Sequence, residues 1–135
     1  MNARDRLPPS LGDLETMADE AWASLPAKFR RMAEGVVIRI EEFPDEETEK
    51  EMGLDSPFDI LGLYRGVDLA RRSVADPPRE PAMVFLYRRP ILDYWCETGE
   101  ELRHIVRHVL IHEIGHHFGL SDDDMDAIEN EDDAA

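Results

Sequence analysis

The stretch His112-Glu113-Ile114-Gly115-His116 constrains this 135-residue chain more than any other part of its sequence. Two histidines four residues apart lie one turn apart on the same face of an α-helix, so both imidazoles can bind one metal ion. A catalytic zinc ion takes three protein ligands and leaves one position for water. The stretch therefore predicts a metal-binding helix and requires a third ligand from elsewhere in the chain.

The residues that follow indicate where this third ligand lies. In a straight helix, Asp122 would be about 9 Å along the axis and about 240° around from His116, pointing away from the metal. Gly119 is the residue type that ends a helix in the left-handed conformation at low cost. A reversal at Gly119 would return Asp122 to the histidines. We therefore predict that His112, His116 and Asp122 bind zinc.

Other acidic residues compete for this role. Asp122 could instead serve only the N-terminus of a following short helix, where carboxylates are favourable and Ser121 is a suitable N-cap. The alternative third ligands are then Asp123, Asp124 and Glu129. The spacing from Gly119 favours Asp122.

Glu113 follows the first histidine and lies at the edge of the metal-binding face. Its carboxylate can reach a water molecule at the metal without binding the metal itself. Zinc lowers the pKa of such a water towards neutrality, so Glu113 can accept a proton as the water attacks a carbonyl and later pass it to the leaving amine. This is the chemistry of peptide-bond hydrolysis, with Glu113 as the catalytic residue.

The full pattern H-E-x-x-H-x-x-G-x-x-D resembles the zincin metallopeptidases of the metzincin type, with aspartate in place of the usual third histidine. With LGLYRG and VFLYRRPI, the segment HEIGHHFGL resembles the small bacterial zincin-like metallopeptidases called minimal metalloproteases, over residues 36–125. The resemblance implies the same three zinc ligands, the same general base, and a peptide lying antiparallel along an exposed strand above the zinc helix. Metzincins also have a Met-turn well downstream of the third ligand, whereas the only later methionine here is Met125.

Local patterns predict a single α+β domain over residues 1–135, with residues 1–9 and 130–135 flexible. In the zincin-like fold that the resemblance implies, a small mixed β-sheet packs on an N-terminal helix and on the long zinc-binding helix. Ser10 and Asp13 form an approximate capping box for the first of these helices. Residues 36–43, 60–66 and 82–87 are predicted strands. Residues 28–33 and 91–95 predict short helical turns, 45–51 a loop or short helix, and 67–81 a loop or hairpin. A capping box over residues 98–101 predicts the start of the helix that ends near Phe118.

Three aromatic residues are candidate substrate-binding residues. The strand at 82–87 is our candidate for the exposed edge that pairs with a peptide, which selects Phe85 and Tyr87. Tyr64 could place its hydroxyl near the reacting carbonyl, although a half-buried strand aromatic is the simpler interpretation. Of the remaining histidines, His104 is expected at the surface and His117 is expected to point off the metal. His108 is expected to support a ligand or to pack.

Composition limits the classes of partner. A formal net charge of -16 argues against nucleic acids and anionic membranes as partners, because both require a basic surface. The single cysteine, Cys96, excludes an internal disulfide, and no apolar run reaches the length of a membrane span. We expect a cytoplasmic protein, monomeric by default, that acts on a peptide or protein substrate.

Two functions follow from the sequence. The first is a zinc-dependent metallopeptidase that uses a metal-activated water and Glu113 as general base. The second is a zincin-fold module that binds metal or peptide with little or no catalysis, since few residues follow Asp122 to form the wall of a cleft. A structural zinc site does not require Glu113, so we rank the peptidase first.

Overall fold

The computed structural model describes residues 7–66 and 81–130. Within these ranges the chain forms helices and strands in the order α1 (Leu11–Ser24), α2 (Ala27–Met32), β1 (Val37–Glu41), α3 (Glu46–Met52), β2 (Gly62–Arg65), β3 (Met83–Tyr87), α4 (Arg88–Thr98), α5 (Leu102–His117) and α6 (Asp122–Asn130). The predicted loop at 67–81 lies outside the described residues except for Pro81, as do residues 1–6 and 131–135 of the two ends. No helix in the described ranges is both long and apolar enough to cross a bilayer.

Local signals define several helix ends. The Ser10 side chain accepts a hydrogen bond from the Asp13 backbone and the Asp13 carboxylate accepts one from the Ser10 backbone, which confirms the capping box of α1. The acidic run after Pro44 forms the short helix α3, whose N-cap is Asp45. Hydrogen bonds from the Thr48 hydroxyl and from the Thr48 backbone N–H hold the pKa of the Asp45 carboxyl below its usual value.

The three strands form a mixed sheet in the order β1-β3-β2. β3 is parallel to β1 and antiparallel to β2. The prediction that β3 is the exposed edge strand is therefore wrong, because both of its edges pair with neighbours. Its nearly continuous apolar sequence reflects this central position.

The core lies between the sheet and the pair of helices α1 and α5. Val84 and Leu86 of β3 are fully buried and point towards these helices. Each belongs to an apolar cluster that includes α5 residues: Leu110, Ile111 and Ile114 for Val84, and Ile105, Val106 and Val109 for Leu86. β2 approaches α5 closely at Gly62, where a Cβ atom would lie 2.7 Å from Val109 Cγ1 and 2.8 Å from the Phe85 carbonyl oxygen. The small mixed sheet on these two helices confirms the predicted fold class.

The boundary between α4 and α5 differs from the prediction. Thr98 is the last residue of α4 rather than a cap of α5, and its hydroxyl donates to the Tyr94 carbonyl oxygen. Gly99, with φ +73°, ends α4 in the left-handed conformation. The N-cap of α5 is Glu101, which makes no capping side-chain hydrogen bond. Thr98 and Glu101 have the spacing of a capping box, which explains the prediction. The helix predicted at residues 91–95 instead continues to Thr98, so that Thr98 cannot cap α5.

Candidate metal centre

The predicted histidine ligands lie on the solvent-facing side of α5. Ile111 and Ile114 are fully buried, whereas the side chain of His112 is 20% exposed and that of His116 is 59% exposed. The two imidazole rings have centroids 5.8 Å apart and planes at 81°. The helix thus places both rings on one side of the molecule, as its periodicity requires.

The chain reverses after α5 at Gly119, whose φ is +74°. The Leu120 N–H donates to the Gly115 carbonyl oxygen at 2.9 Å, and the Gly119 N–H donates to that of His116 at 3.1 Å. These two bonds define the Schellman motif, in which a left-handed glycine satisfies the last carbonyl groups of a helix. The prediction that Gly119 ends the helix is confirmed.

This turn brings Asp122 near the second histidine. Asp122 Oδ1 lies 3.9 Å from His116 Nε2, although 89% of the Asp122 side chain is exposed. Two ligand atoms of a tetrahedral zinc are about 3.3 Å apart, given metal–ligand distances of about 2.0–2.1 Å. A small movement of an exposed side chain therefore reaches the separation that zinc needs.

The helix cap at this position does not use Asp122. The Ser121 hydroxyl accepts from the Asp124 backbone at 3.0 Å, and the Asp124 carboxylate accepts from the Ser121 backbone at 3.1 Å. Ser121 is the N-cap of α6 as predicted, and Asp124 completes the capping box. Capping therefore occupies the carboxylate of Asp124, while Asp122 lies in the first turn of α6, where an acid is favourable for the helix.

Glu113 is half-buried between α5 and β2. Burial raises the pKa of its carboxyl group, an effect that the nearby His116, a hydrogen bond from the Tyr64 backbone N–H, and His112 partly oppose. A carboxyl group that is desolvated and oriented by a backbone donor has the environment expected of a general base.

The hydrogen bond from Tyr64 locates Glu113 at the outer edge of β2. In an antiparallel pair, hydrogen-bonded residue pairs alternate with pairs whose backbone groups point outwards. The Tyr87 N–H donates to the Leu61 carbonyl oxygen at 2.9 Å, and Tyr64 lies opposite Val84. Tyr64 is therefore at an outward-pointing position, and its N–H leaves the sheet towards Glu113. No strand among the described residues pairs with this edge of β2.

The side chains of the three candidate substrate residues lie away from Glu113 or contact other groups. The Tyr64 ring stacks on the imidazole of His117, with 3.8 Å between the ring centroids. Phe85 and Tyr87 are on the sheet face opposite Val84 and Leu86, where they line a small cavity of about 180 Å³ with Thr48 and Arg65. The central position of β3 thus removes the reason for choosing Phe85 and Tyr87.

A contact that the sequence did not predict joins α5 to the end of α6. Glu129 Oε1 contacts His108 Nδ1, and Glu129 Oε2 lies 3.5 Å from His112 Nε2. His108, His112 and Glu129 are the one group of metal-type donors whose ligand atoms lie within 4.8 Å of one another in the described ranges. The spacing of His108 and His112 was a signal for this group, but Glu129 comes from a separate helix.

Met125 packs beneath α5, the helix that carries the predicted ligands. It is fully buried, and a Cβ atom added at Gly115 would lie 2.6 Å from its sulfur. Gly115 lies inside the H-E-x-x-H stretch, so the absence of its side chain lets Met125 approach the helix backbone. The methionine therefore lies under the predicted site although it follows Asp122 by only three residues.

The donor set fits zinc. Two imidazoles on one helix and a carboxylate from the following turn are the ligand types of catalytic zinc sites. The 3.9 Å separation of His116 and Asp122 requires only a side-chain adjustment. His112 Nε2 lies 3.5 Å from Glu129 Oε2, so Glu129 is still an alternative third ligand.

Comparisons with known proteins agree with this fold. A conserved hypothetical protein from T. thermophilus has a similar structure, with a TM-score of 0.50 and 21% sequence identity over 81% of this chain and 94% of that chain. No curated protein matches the sequence. The sequence model described as zincin-like metallopeptidase matches residues 33–132, from the end of α2 to beyond α6. That match covers most of the chain, including every strand and the whole H-E-x-x-H helix, and the chain therefore belongs to the zincin-like metallopeptidase family.

Proposed function

We propose that this protein is a zinc-dependent peptidase in which His112, His116 and Asp122 bind the metal and Glu113 is the general base. The observation that carries the proposal is the position of Glu113, which is half-buried next to the first histidine and lies near the outward-pointing backbone N–H of Tyr64. A structural zinc site has no use for a carboxylate held in this way. Membership of the zincin-like metallopeptidase family supports the same activity.

The chemistry divides between the metal and the chain. A bound zinc ion supplies Lewis-acid activation of water at neutral pH. The Glu113 carboxylate accepts the proton of the water that attacks the substrate carbonyl and delivers it to the leaving nitrogen. The Tyr64 N–H, which points out of the sheet towards Glu113, favours the ionised carboxylate that accepts the proton. Burial strengthens the interaction of Glu113 with the charges around it, because water screens them less.

The substrate binds along β2 in this proposal. No strand within residues 7–66 and 81–130 pairs with the outer edge of β2, and Glu113 lies near that same edge beside Tyr64. An extended peptide that adds to β2 would therefore pass beside the general base. The net charge of -16 favours neutral or cationic peptides over acidic ones.

A second candidate is a zincin-fold module that binds metal or peptide without appreciable turnover. The exposure of Asp122 and the contact of His112 with Glu129 favour it, since the three proposed ligands do not face a common point before metal binds. An activity measurement separates the two functions.

The deciding experiment is Glu113→Gln, which keeps the shape of the side chain and removes its basicity. Zinc-loaded wild type should cleave a mixed peptide library, and the variant should bind zinc equally but lose about 10²–10⁴-fold in rate. Glu97→Gln, a substitution of an exposed α4 acid, is the matched control and should retain full activity. Equal cleavage by wild type and Glu113→Gln would refute the catalytic role, and no cleavage by either would favour the binding module.

The ligand set has its own test. Asp122→Asn should weaken zinc binding measured against a competing chelator, whereas Asp123→Asn, at the next position, should not. An equal effect of both substitutions would exclude Asp122 as a ligand. A loss confined to Glu129→Gln would assign the third position to Glu129.

Binding along β2 can be checked with peptides methylated at single backbone nitrogens. Each methyl group removes one donor from the strand pairing. Cleavage should fall at alternate positions, because only every second residue of an added strand bonds to β2. A uniform effect along the peptide would argue against strand addition.

A further inference from the structure

His108, His112 and Glu129 form a second group of zinc-type donors, which shares His112 with the predicted catalytic ligands. All their ligand atoms lie within 4.8 Å of one another. Each oxygen of the Glu129 carboxylate faces a different imidazole, and the two imidazole rings stack at 4.0 Å between centroids. A metal ion placed between these groups would meet two nitrogen donors and one oxygen donor, which is a zinc ligand set.

The helix that carries Glu129 is fastened at this point. The Arg107 guanidinium donates to the carbonyl oxygens of Glu129 at 2.9 Å and of Ile128 at 3.3 Å. It also donates to the Ser24 hydroxyl at 3.1 Å, so that one side chain of α5 joins the ends of α1 and α6. Glu129 is thus held beside the histidines by its backbone as well as by its carboxylate.

Two of the three side chains are also partly removed from water, whereas His108 is exposed. The side chain of Glu129 is 14% exposed and that of His112 is 20% exposed. A carboxylate in such a position is costly unless it has charged or hydrogen-bonding partners. A divalent metal ion bound by the carboxylate and the two imidazoles would compensate this burial with two positive charges.

We propose that His108, His112 and Glu129 bind zinc in a second site that competes with the catalytic site for His112. The competition rests on the proposed function, because His112 belongs to both ligand sets. One imidazole nitrogen binds one metal ion at a time. Zinc held at the second site is therefore unavailable to His116 and Asp122.

This arrangement has a consequence for zinc dependence. Two sites that exclude one another each give a chain with one zinc ion, so raising the zinc concentration does not change the ratio of the two forms. The ratio depends only on the relative affinities of the sites. The second site would hold part of the protein in an inactive, metal-loaded form.

The test uses the double variant His116→Ala/Asp122→Asn, which removes the two ligands that belong only to the catalytic site. Both side chains are largely exposed, at 59% and 89%, so the fold should persist, and circular dichroism checks it. Titration with Zn²⁺ against a chromophoric chelator should give one zinc ion per chain. Adding Glu129→Gln should weaken binding by at least about tenfold, since even the loss of a group that only orients a ligand costs about 10–100-fold.

Two matched controls isolate the site. Asp126→Asn removes an exposed acid from the same helix, and His104→Asn removes an exposed histidine one turn before His108. In the double-variant background, both should leave the zinc affinity unchanged, whereas His108→Asn should weaken it as Glu129→Gln does. If the double variant does not fold, the single variant His116→Asn provides the background for the same four substitutions.

Each outcome decides the proposal. One zinc ion in the wild type and one in the double variant support competition. Two zinc ions in the wild type would overturn it. Absence of zinc binding by the double variant would refute the second site. Equal effects of Glu129→Gln and Asp126→Asn would also refute it, and Glu129 would then only contact the two histidines. Failure of the proposed peptidase activity is measured separately, by peptide cleavage in the wild type.

Discussion

Gly119→Ala tests whether the turn after α5 positions the zinc ligand. Gly119 has φ +74°, and a Cβ atom there would meet nothing within 4 Å. The substitution therefore adds backbone strain without a steric clash. A left-handed L-residue costs about 1–2 kcal/mol, and alanine recovers about 0.4–1 kcal/mol by restricting the unfolded chain. The net loss of stability is about 1 kcal/mol, which lowers Tm by about 3–4 °C in a chain of this size.

Gly99→Ala is a closely matched control. Gly99 ends α4 with φ +73° and also has open space around its Cβ position. Both variants should lose the same stability in thermal unfolding followed by circular dichroism without metal. Only Gly119→Ala should weaken zinc binding, by about tenfold or more, because relaxation of the turn moves Asp122 away from His116. Gly119→Asn should recover part of the affinity, since asparagine adopts the left-handed conformation more readily.

The result that refutes this reasoning is specific. If Gly119→Ala and Gly99→Ala bind zinc equally and are destabilised equally, the turn affects only stability. Asp122 would then be placed by α6 itself, or would not be a ligand.

Three further predictions concern packing, ionisation and the α5–α6 contact. Met125→Ala should lower the free energy of unfolding by about 2–5 kcal/mol, while Met125→Leu should cost less than about 1.5 kcal/mol; urea unfolding measures both, and equal losses would argue against close packing on Gly115. Burial raises the pKa of Tyr87 to about 12, so the wild type should lose stability as pH rises from 10 to 12, because the unfolded chain releases that proton first; Tyr87→Phe should show less of this loss, and identical alkaline profiles would refute it. Arg107→Gln should increase hydrogen exchange at the end of α6 and weaken the contact of Glu129 with α5, and unchanged exchange would show that other contacts hold the helix.

Local features of the structure were predictable from the sequence. The capping box of α1, the N-cap of α6 at Ser121 and the turn at Gly119 each depend on residues within five positions of one another. Their physical causes, a side-chain oxygen near free N–H groups or a residue without Cβ, are legible in the sequence itself. The H-E-x-x-H helix follows from the same short-range periodicity.

Strand order could not be predicted in this way. β1 and β3 pair in parallel, although β1 ends at Glu41 and β3 begins only at Met83. The local sequence pattern does not indicate which of the three apolar strands is central. Strand order depends on how the connecting segments cross the sheet. The edge assignment of β3, on which the choice of Phe85 and Tyr87 rested, was wrong for this reason.

The contact of Glu129 with His108 and His112 was missed for a related reason. Glu129 was only one of several acids after the turn, and its position depends on where α6 lies against α5. Arg107 contributes to that position through the carbonyl groups of α6, and a single arginine in a sequence gives no sign of such a role. Tertiary hydrogen bonds to backbone carbonyls leave little trace in residue patterns.

The position of Glu113 beside the main chain of Tyr64 has a consequence for substitutions at position 64. Every amino acid except proline carries the backbone N–H group that points out of β2 at this position. The side chain at position 64 can therefore change without loss of this donor. In the peptidase that we propose, substitution there would alter the surface beside β2 and leave the main-chain donor next to the general base in place.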